Sequence, residues 1–230
     1  MLIILLSIIC STLIILTFKV FQRFKLNLFQ AIVANYISCV ALGWFPMTQQ
    51  MDFGAHLFTT PWFPFAAVMG FLFISIFFLI GTTTQLVGVT PATVAMRLTI
   101  IFPIVFAFLF YGEDLNGLKL TGIILALFAV VMISIKKEST IQLKDRPKWL
   151  LSLPFIIFFG SGFIDVIVQY VEKTYFSSGS FEAFIIFVFG TAGVIGFLLF
   201  IPQLLAGKVK FHSKSWLGGL ILGIPNYGSM

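Results

Sequence analysis

Long apolar segments alternate with short polar connections along the whole chain. A bilayer core about 30 Å thick needs roughly 20 apolar residues, since each helical residue adds 1.5 Å. Eight segments approach that length and are predicted to be membrane-spanning helices: Leu2–Phe18, Leu28–Phe45, Trp62–Ile80, Pro91–Tyr111, Leu118–Ile135, Trp149–Val171, Phe181–Leu205 and Trp216–Met230. The runs are continuous rather than alternating, which argues against a β-barrel. The pattern predicts an all-α membrane protein, a polytopic helical bundle.

Composition agrees with this prediction. Of the 230 residues, 60% are hydrophobic and 10% are charged, whereas about 25% of the residues of a soluble domain are charged. The pattern therefore excludes a water-soluble globule. The first segment, Leu2–Phe18, has no basic residues before it and no small-residue cleavage pattern. It is therefore expected to be a retained helix rather than a signal peptide.

The basic residues lie in the connections and predict an orientation. Eleven of the 14 Lys and Arg residues lie in alternate connections, whereas the other set of connections carries only Lys119 and Lys173. Cytoplasmic connections are enriched in Lys and Arg. The bias places the first set in the cytoplasm and the N-terminus outside. It also accounts for the net charge of +6 without a nucleic-acid partner.

A family resemblance lies in Gly81–Lys137. The first of two apolar runs contains both Pro91 and Pro103, a Gly112-Glu113 pair follows it, and Gly122 leads the second run. This arrangement resembles the EamA-type module of the drug/metabolite transporter superfamily. The resemblance implies a multi-pass protein of the cell (inner) membrane that moves a small metabolite or drug-like solute without a cofactor. In the family pattern Gly112 and Glu113 are expected to form the tight turn between two helices.

Weak internal matches suggest a repeat. Phe29-x-Ala31 matches Phe181-x-Ala183, and Ala66-x-x-x-Gly70 matches Gly219-x-x-x-Gly223. With the segment order, these matches predict a five-helix unit in residues 1–137, a basic cytoplasmic linker in 138–148 and a second, incomplete unit in 149–230. An odd number of helices inverts the second unit in the membrane. We expect a complete duplication to contain ten helices, so the sequence is expected to be a fragment; a natural eight-helix protein is the alternative.

Polar residues inside the apolar segments are the candidates for a substrate path. Ionisable side chains at membrane depth are costly unless they face a cavity or a partner. Arg97 either extends to the headgroups or lines the path, and Asp165 is expected to face a cavity, where it would bind a proton or a cationic group. Helix starts at Pro91 and Trp149 place the two about 15 Å apart in depth, so no direct ion pair is expected. The remaining candidates are uncharged, with interhelical hydrogen bonding or a packed kink as the alternative: Asn35, Pro103, Gln169, Asn226 and Tyr227.

Other functions find little support in the sequence. His56 and His212 lie in connections without metal-ligand or catalytic spacing, Cys10 and Cys39 form no metal motif, and no phosphate-binding loop is present. The function predicted is gradient-driven transport by alternating access, through proton exchange or facilitation, and not catalysis. The expected partners are the lipid bilayer, a small solute and protons. One alternative is a membrane partner subunit or receptor that does not transport. The other is an intramembrane enzyme, favoured only if Asp165 proves essential for turnover of a lipid substrate.

Overall fold

The structure, a computed structural model, describes residues 2–47, 58–112, 116–135, 148–176 and 181–230. Within these ranges the regular structure is helical and contains no strand. The helices are α1 (Leu2–Arg23), α2 (Leu28–Met47), α3 (Phe63–Leu86), α4 (Val89–Leu98), α5 (Ile101–Tyr111), α6 (Gly117–Ile135), α7 (Leu153–Tyr175), α8 (Glu182–Leu205) and α9 (Ser213–Gly228), with a short 3-10 turn at Lys148–Ser152.

The all-α prediction is confirmed, and each of the eight predicted segments contains helix. Among the described residues, five helical stretches are long and apolar enough to cross a membrane: Leu5–Arg23, Phe63–Leu86, Val89–Tyr111, Leu153–Tyr175 and Glu182–Leu205. Helix α2 adds a shorter apolar stretch, Leu28–Trp44. These lengths are those of a multi-pass membrane protein.

The helices group into two compact units. The first unit comprises Met1–Gly81 together with Val171–Met230, and the second comprises Thr82–Tyr170. Their boundaries therefore fall inside α3 and α7. These are groups of packed helices rather than sequence repeats, so the division into residues 1–137, 138–148 and 149–230 stays a prediction.

In the first unit, α2 lies between α8 and α9. Helices α2 and α8 run antiparallel, because Val33 contacts Gly196 whereas Gly43, further along α2, contacts Ile186. Helices α2 and α9 run parallel, because Gly219 lies on the Ala31 backbone and later residues of both helices also meet. Glycine at these crossings lets the backbones approach closely, as in other membrane helix pairs.

Helix α3 packs along α8 in the same unit. Gly70 lies against Thr191, whose hydroxyl donates a 3.0 Å hydrogen bond to the Ala66 carbonyl oxygen. One end of the contact is aromatic, because the Trp62 ring meets Phe184 with a centroid distance of 6.1 Å. Helices α3 and α8 run parallel, because residues further along α3 contact residues further along α8.

In the second unit, α4 and α5 form one interrupted span that runs parallel to α7. The Phe102 ring meets Phe158 at a centroid distance of 5.0 Å and covers Gly162. Helix α5 ends at Gly112, which has φ 61° and donates its N–H to the Ala107 carbonyl oxygen. Glycine adopts this left-handed conformation without strain, which suits a turn. Glu113, the other predicted turn residue, lies outside the described residues.

Candidate functional site

A buried polar cluster lies between α2 and α9 in the first unit. Asn226 Nδ2 donates to Asn35 Oδ1 at 3.2 Å and contacts Cys39 Sγ at 3.5 Å. The Cys39 thiol in turn reaches the Gly223 carbonyl oxygen at 3.6 Å. Asn35 and Cys39 lie about 10 and 17 Å along α2, near the middle of a helix about 30 Å long. The cluster therefore lies at mid-depth within an apolar bundle.

Two polar atoms of this region have hydrogen-bonding capacity left over. Asn35 is completely buried, and its Nδ2 has no hydrogen-bond partner among the described residues. The neighbouring Tyr36 is also completely buried, and its hydroxyl has no such partner either. Buried donors are ordinarily satisfied, because leaving one unpaired costs about 1–3 kcal/mol. Each of these two donors can therefore form a further hydrogen bond.

Close backbone contacts and one buried amide hold α9 in place against α2. Gly219 and Gly223 face the backbone of α2, so a side chain at either position would meet main-chain atoms. At the start of α2, the buried Gln30 donates from Nε2 to the Lys210 carbonyl oxygen at 2.7 Å. Gln30 Oε1 accepts from the His212 N–H at 2.9 Å. This arrangement fixes the register that brings Asn226 to Asn35.

A second polar site lies where the Val89–Tyr111 span is interrupted. Helix α4 ends at Leu98 and α5 begins at Ile101, about 15 Å into a span of about 34 Å. Pro103 has no N–H for the carbonyl four residues earlier, that of Thr99. The Phe102 N–H bonds that carbonyl oxygen instead, at 2.9 Å. The Thr99 carbonyl oxygen, which Pro103 deprives of its usual helical partner, is therefore still hydrogen-bonded.

Asp165 of α7 lies beside this interruption. Its carboxyl group has a hydrogen-bonding contact with the Thr99 side chain, and Thr99 is buried. The Thr99 hydroxyl donates to the Met96 carbonyl oxygen at 2.8 Å. A hydroxyl has one proton and two lone pairs. The Thr99 hydroxyl can therefore donate to either the Met96 carbonyl oxygen or the Asp165 carboxyl group, one acceptor at a time.

Arg97 and Asp165 do not pair, but the reason differs from the one expected. Asp165 lies level with Thr99, two residues beyond Arg97, so the expected depth difference of about 15 Å is wrong. Helix α7 begins at Leu153 rather than Trp149, which accounts for part of the error. Two residues correspond to about 200° around a helix. Arg97 therefore faces away from Asp165, and it is exposed.

The two remaining predicted site residues lie in different units. Tyr227 follows Asn226 in α9, and its half-buried ring packs on Phe189 at a centroid distance of 6.5 Å. Gln169 lies in α7, half-buried, and its Oε1 has no hydrogen-bond partner within the described ranges. The structure thus joins Asn35, Asn226 and Tyr227 in one region of the first unit, whereas Gln169 belongs to the second unit.

Sequence reasoning did not single out three residues of these sites. Cys39 forms no metal motif and was not among the predicted site residues, whereas its thiol belongs to the asparagine cluster. Thr99 and Gln30 are polar residues near apolar runs, and only their burial, 5% and 0% exposed, distinguishes them. A signal was present for Thr99, which precedes Pro103 by the four residues of one hydrogen-bonded helical turn.

Comparison with known proteins finds a relative along nearly the whole chain. An uncharacterised protein of Haemophilus influenzae (strain Rd) is 27% identical over 227 residues, covering 96% of this chain and 74% of that protein. No protein-family model matches the chain. No solved structure matches it either.

Proposed function

We propose that the protein is a membrane transporter that moves a small metabolite or drug-like solute by alternating access, and that it resembles the EamA branch of the drug/metabolite transporter superfamily. The observation that carries the proposal is the interrupted span. Transporters bind substrates and coupling ions near the bilayer midplane, at discontinuous helices. The Leu98–Ile101 interruption lies at that depth with the Asp165 carboxyl beside it.

The packing of the first unit supports inverted repeats. If α2 and α8 are equivalent helices of two inverted units, they must run antiparallel, as they do. Their partners are then equivalent as well: α9 lies parallel to α2, and α3 lies parallel to α8. Gly70 and Gly223, which match in sequence, each occupy such a contact, on Thr191 and on the α2 backbone. This arrangement is the one that inverted-repeat transporters use.

Proton exchange is the form of energy coupling that the second site favours. Asp165 is an ionisable carboxyl group beside the interrupted span, in contact with the buried Thr99. A charge on that carboxyl group at membrane depth is costly unless water or a solute reaches it. The protonated carboxyl therefore suits a closed state, and the charged form suits a state open to water.

Uptake into reconstituted vesicles tests the proposal. Proteoliposomes are incubated with a mixed metabolite extract under an imposed pH gradient, and their contents are identified by mass spectrometry. We expect at least one compound to enter above the level of protein-free liposomes. Asp165→Asn should lower its gradient-driven uptake at least tenfold, which corresponds to about 1.4 kcal/mol, because the amide cannot exchange a proton.

Glu172→Gln is the matched control. It removes the same charge from the same helix at an exposed position, and it should leave uptake unchanged. If no compound enters above background, the transporter proposal fails and the partner-subunit alternative is favoured. If uptake occurs but Asp165→Asn and Glu172→Gln behave like the unaltered chain, transport stands and the proton role of Asp165 fails.

A further inference from the structure

The second unit contains an apolar groove between α4 and α7. The groove has a volume of about 490 Å³, within the roughly 300–1,000 Å³ range of small-molecule sites. Helix α4 lines one side and α7 the other, with these residues among the lining: Thr90, Val94, Leu98, Pro154, Phe155 and Phe159. Except for Thr90, the whole lining is apolar.

The groove lies at one end of a parallel helix pair. Helices α4–α5 and α7 meet closely where the Phe102 ring covers Gly162. Toward their N-terminal ends the space between them becomes the groove, which extends from Thr90 to Leu98, about 12 Å along α4. The Lys and Arg bias places these N-terminal ends on the cytoplasmic side. The groove would therefore lie in the cytoplasmic leaflet.

The apolar wall of the groove is open to its surroundings. Phe155 and Phe159 are 66% and 60% exposed, although both line the groove. In a membrane-spanning helix such side chains face hydrocarbon, so the natural occupant of this wall is an acyl chain rather than a polar solute. Trp149, 57% exposed just before α7, has the amphipathic ring typical of the headgroup level.

Positive charge lies beside the groove. On a helix with 100° per residue, Arg97 is about 20° from Thr90 and about 60° from Val94, so it lies at the rim of the groove-lining face. Arg97 is exposed, and a long basic side chain can extend toward headgroups. The cytoplasmic leaflet is the one rich in anionic lipid.

We infer that the groove between α4 and α7 is a binding site for an anionic phospholipid, with an acyl chain along Val94, Leu98 and Phe159 and the headgroup phosphate on Arg97. The site recognises the lipid by two independent features: an apolar groove that takes the chain and a basic rim that selects the charge. A neutral lipid satisfies only the first feature. This inference does not depend on whether the protein transports a solute.

Native mass spectrometry of the chain released from nanodiscs tests the site. The nanodiscs contain equimolar phosphatidylcholine and phosphatidylglycerol, and the lipids retained per protein are identified by mass. We expect retained phosphatidylglycerol to exceed phosphatidylcholine. Arg97→Gln should lower that preference about fivefold, the factor expected from one basic residue at a membrane surface. Val94→Trp, which fills the groove, should abolish retention of either lipid.

Two substitutions outside the groove are the matched controls. Lys214→Gln removes the same charge from an exposed position in the first unit. Val105→Trp adds the same ring to the same span at a position 47% exposed and outside the groove lining. Neither should change the retained lipid. Leu98→Trp fills the other end of the groove and replaces Val94→Trp if thermal unfolding shows that Val94→Trp does not fold.

Three results would overturn the site. If Arg97→Gln leaves the lipid preference unchanged, Arg97 does not select the headgroup. The same conclusion follows if Lys214→Gln lowers the lipid preference equally. If a folded groove-filling variant retains as much lipid as the unaltered chain, the lipid does not bind in the groove. A retained solute or a second copy of the chain, lost on filling the groove while lipid is kept, would assign the groove to that occupant instead. If both groove-filling variants unfold, the comparison of Arg97→Gln with Lys214→Gln decides alone.

Discussion

At the residue scale, the buried asparagines distinguish a packed bundle from one with a polar path. A hydrogen bond between membrane helices is worth only about 0.6 kcal/mol on average, so the Asn35–Asn226 bond is a small contribution to stability. The unpaired Asn35 Nδ2 and Tyr36 hydroxyl are costs rather than gains. A cluster that stabilises little and keeps donors unpaired is explained better by a role in binding than by packing.

Asn226→Ala separates these roles. We expect thermal stability to change little, by about 0.6 kcal/mol and at most about 2, because one long hydrogen bond is lost. Uptake should fall at least tenfold, since the amide that faces Asn35 and Cys39 is gone. Thermal unfolding and vesicle uptake measure the two effects. Gln203→Ala removes an amide from an exposed position and should alter neither; a large loss of stability without loss of uptake would make Asn226 a structural residue.

At the element scale, Pro103 divides one span into α4 and α5. Pro103→Ala supplies a backbone N–H that can bond the Thr99 carbonyl oxygen in place of the Phe102 N–H, and it allows a continuous helix through Leu98–Ile101. We expect the variant to unfold at a higher temperature and to transport more slowly, because stability gained at a functional position commonly costs activity. Thermal unfolding and vesicle uptake are the measurements. Unchanged uptake in a stabilised variant would show that the interruption has no part in transport.

Helix α9 approaches α2 closely because residue 219 is a glycine. In Gly219→Ala the new methyl group would meet the Ala31 carbonyl, which is backbone and cannot rotate away. Overpacking of this kind costs about 1–3 kcal/mol, so the midpoint of thermal unfolding should fall. Gly122→Ala is the control, because a methyl group there meets nothing within 4 Å. Equal midpoints for the two variants would contradict the close α2–α9 contact.

The sequence predicts the elements better than it predicts their contacts. Apolar runs of about 20 residues locate the helices, because the bilayer dictates both length and composition. Asn35, Asn226 and Asp165 can be recognised as candidates from the sequence, because polar residues are costly within such runs. Their partners could not be predicted, since Cys39 and Thr99 enter the sites through helix packing and register. Part of the error in the predicted depth of Asp165 arises because α7 begins four residues later than its apolar segment.

At the scale of the whole molecule, two units each contain one polar site at mid-depth. The first unit holds Asn35, Cys39 and Asn226 within antiparallel and parallel helix pairs, and the second holds Asp165 beside an interrupted span. Both arrangements are typical of transporters, whose binding groups lie near the midplane. A membrane partner subunit has no need to expose such sites to water, whereas a transporter must do so from each side in turn.

Cys39 is a native probe of that exposure. The described residues contain two free cysteines, Cys10 and Cys39, so Cys10→Ala leaves Cys39 as the probe at the asparagine cluster. A charged, membrane-impermeant thiol reagent is applied to right-side-out and inside-out vesicles, and labelling is followed by mass. As a control, Val194→Cys in a Cys10→Ala, Cys39→Ala chain places a thiol on an apolar surface that is 59% exposed and should stay unlabelled.

If the cluster lines an alternating-access path, Cys39 should be labelled slowly from both sides of the membrane, and Asn226→Ala should change the rate. Cys39 that stays unlabelled from either side of the folded protein, yet reacts after denaturation, would contradict the path and make the cluster a structural contact between α2 and α9.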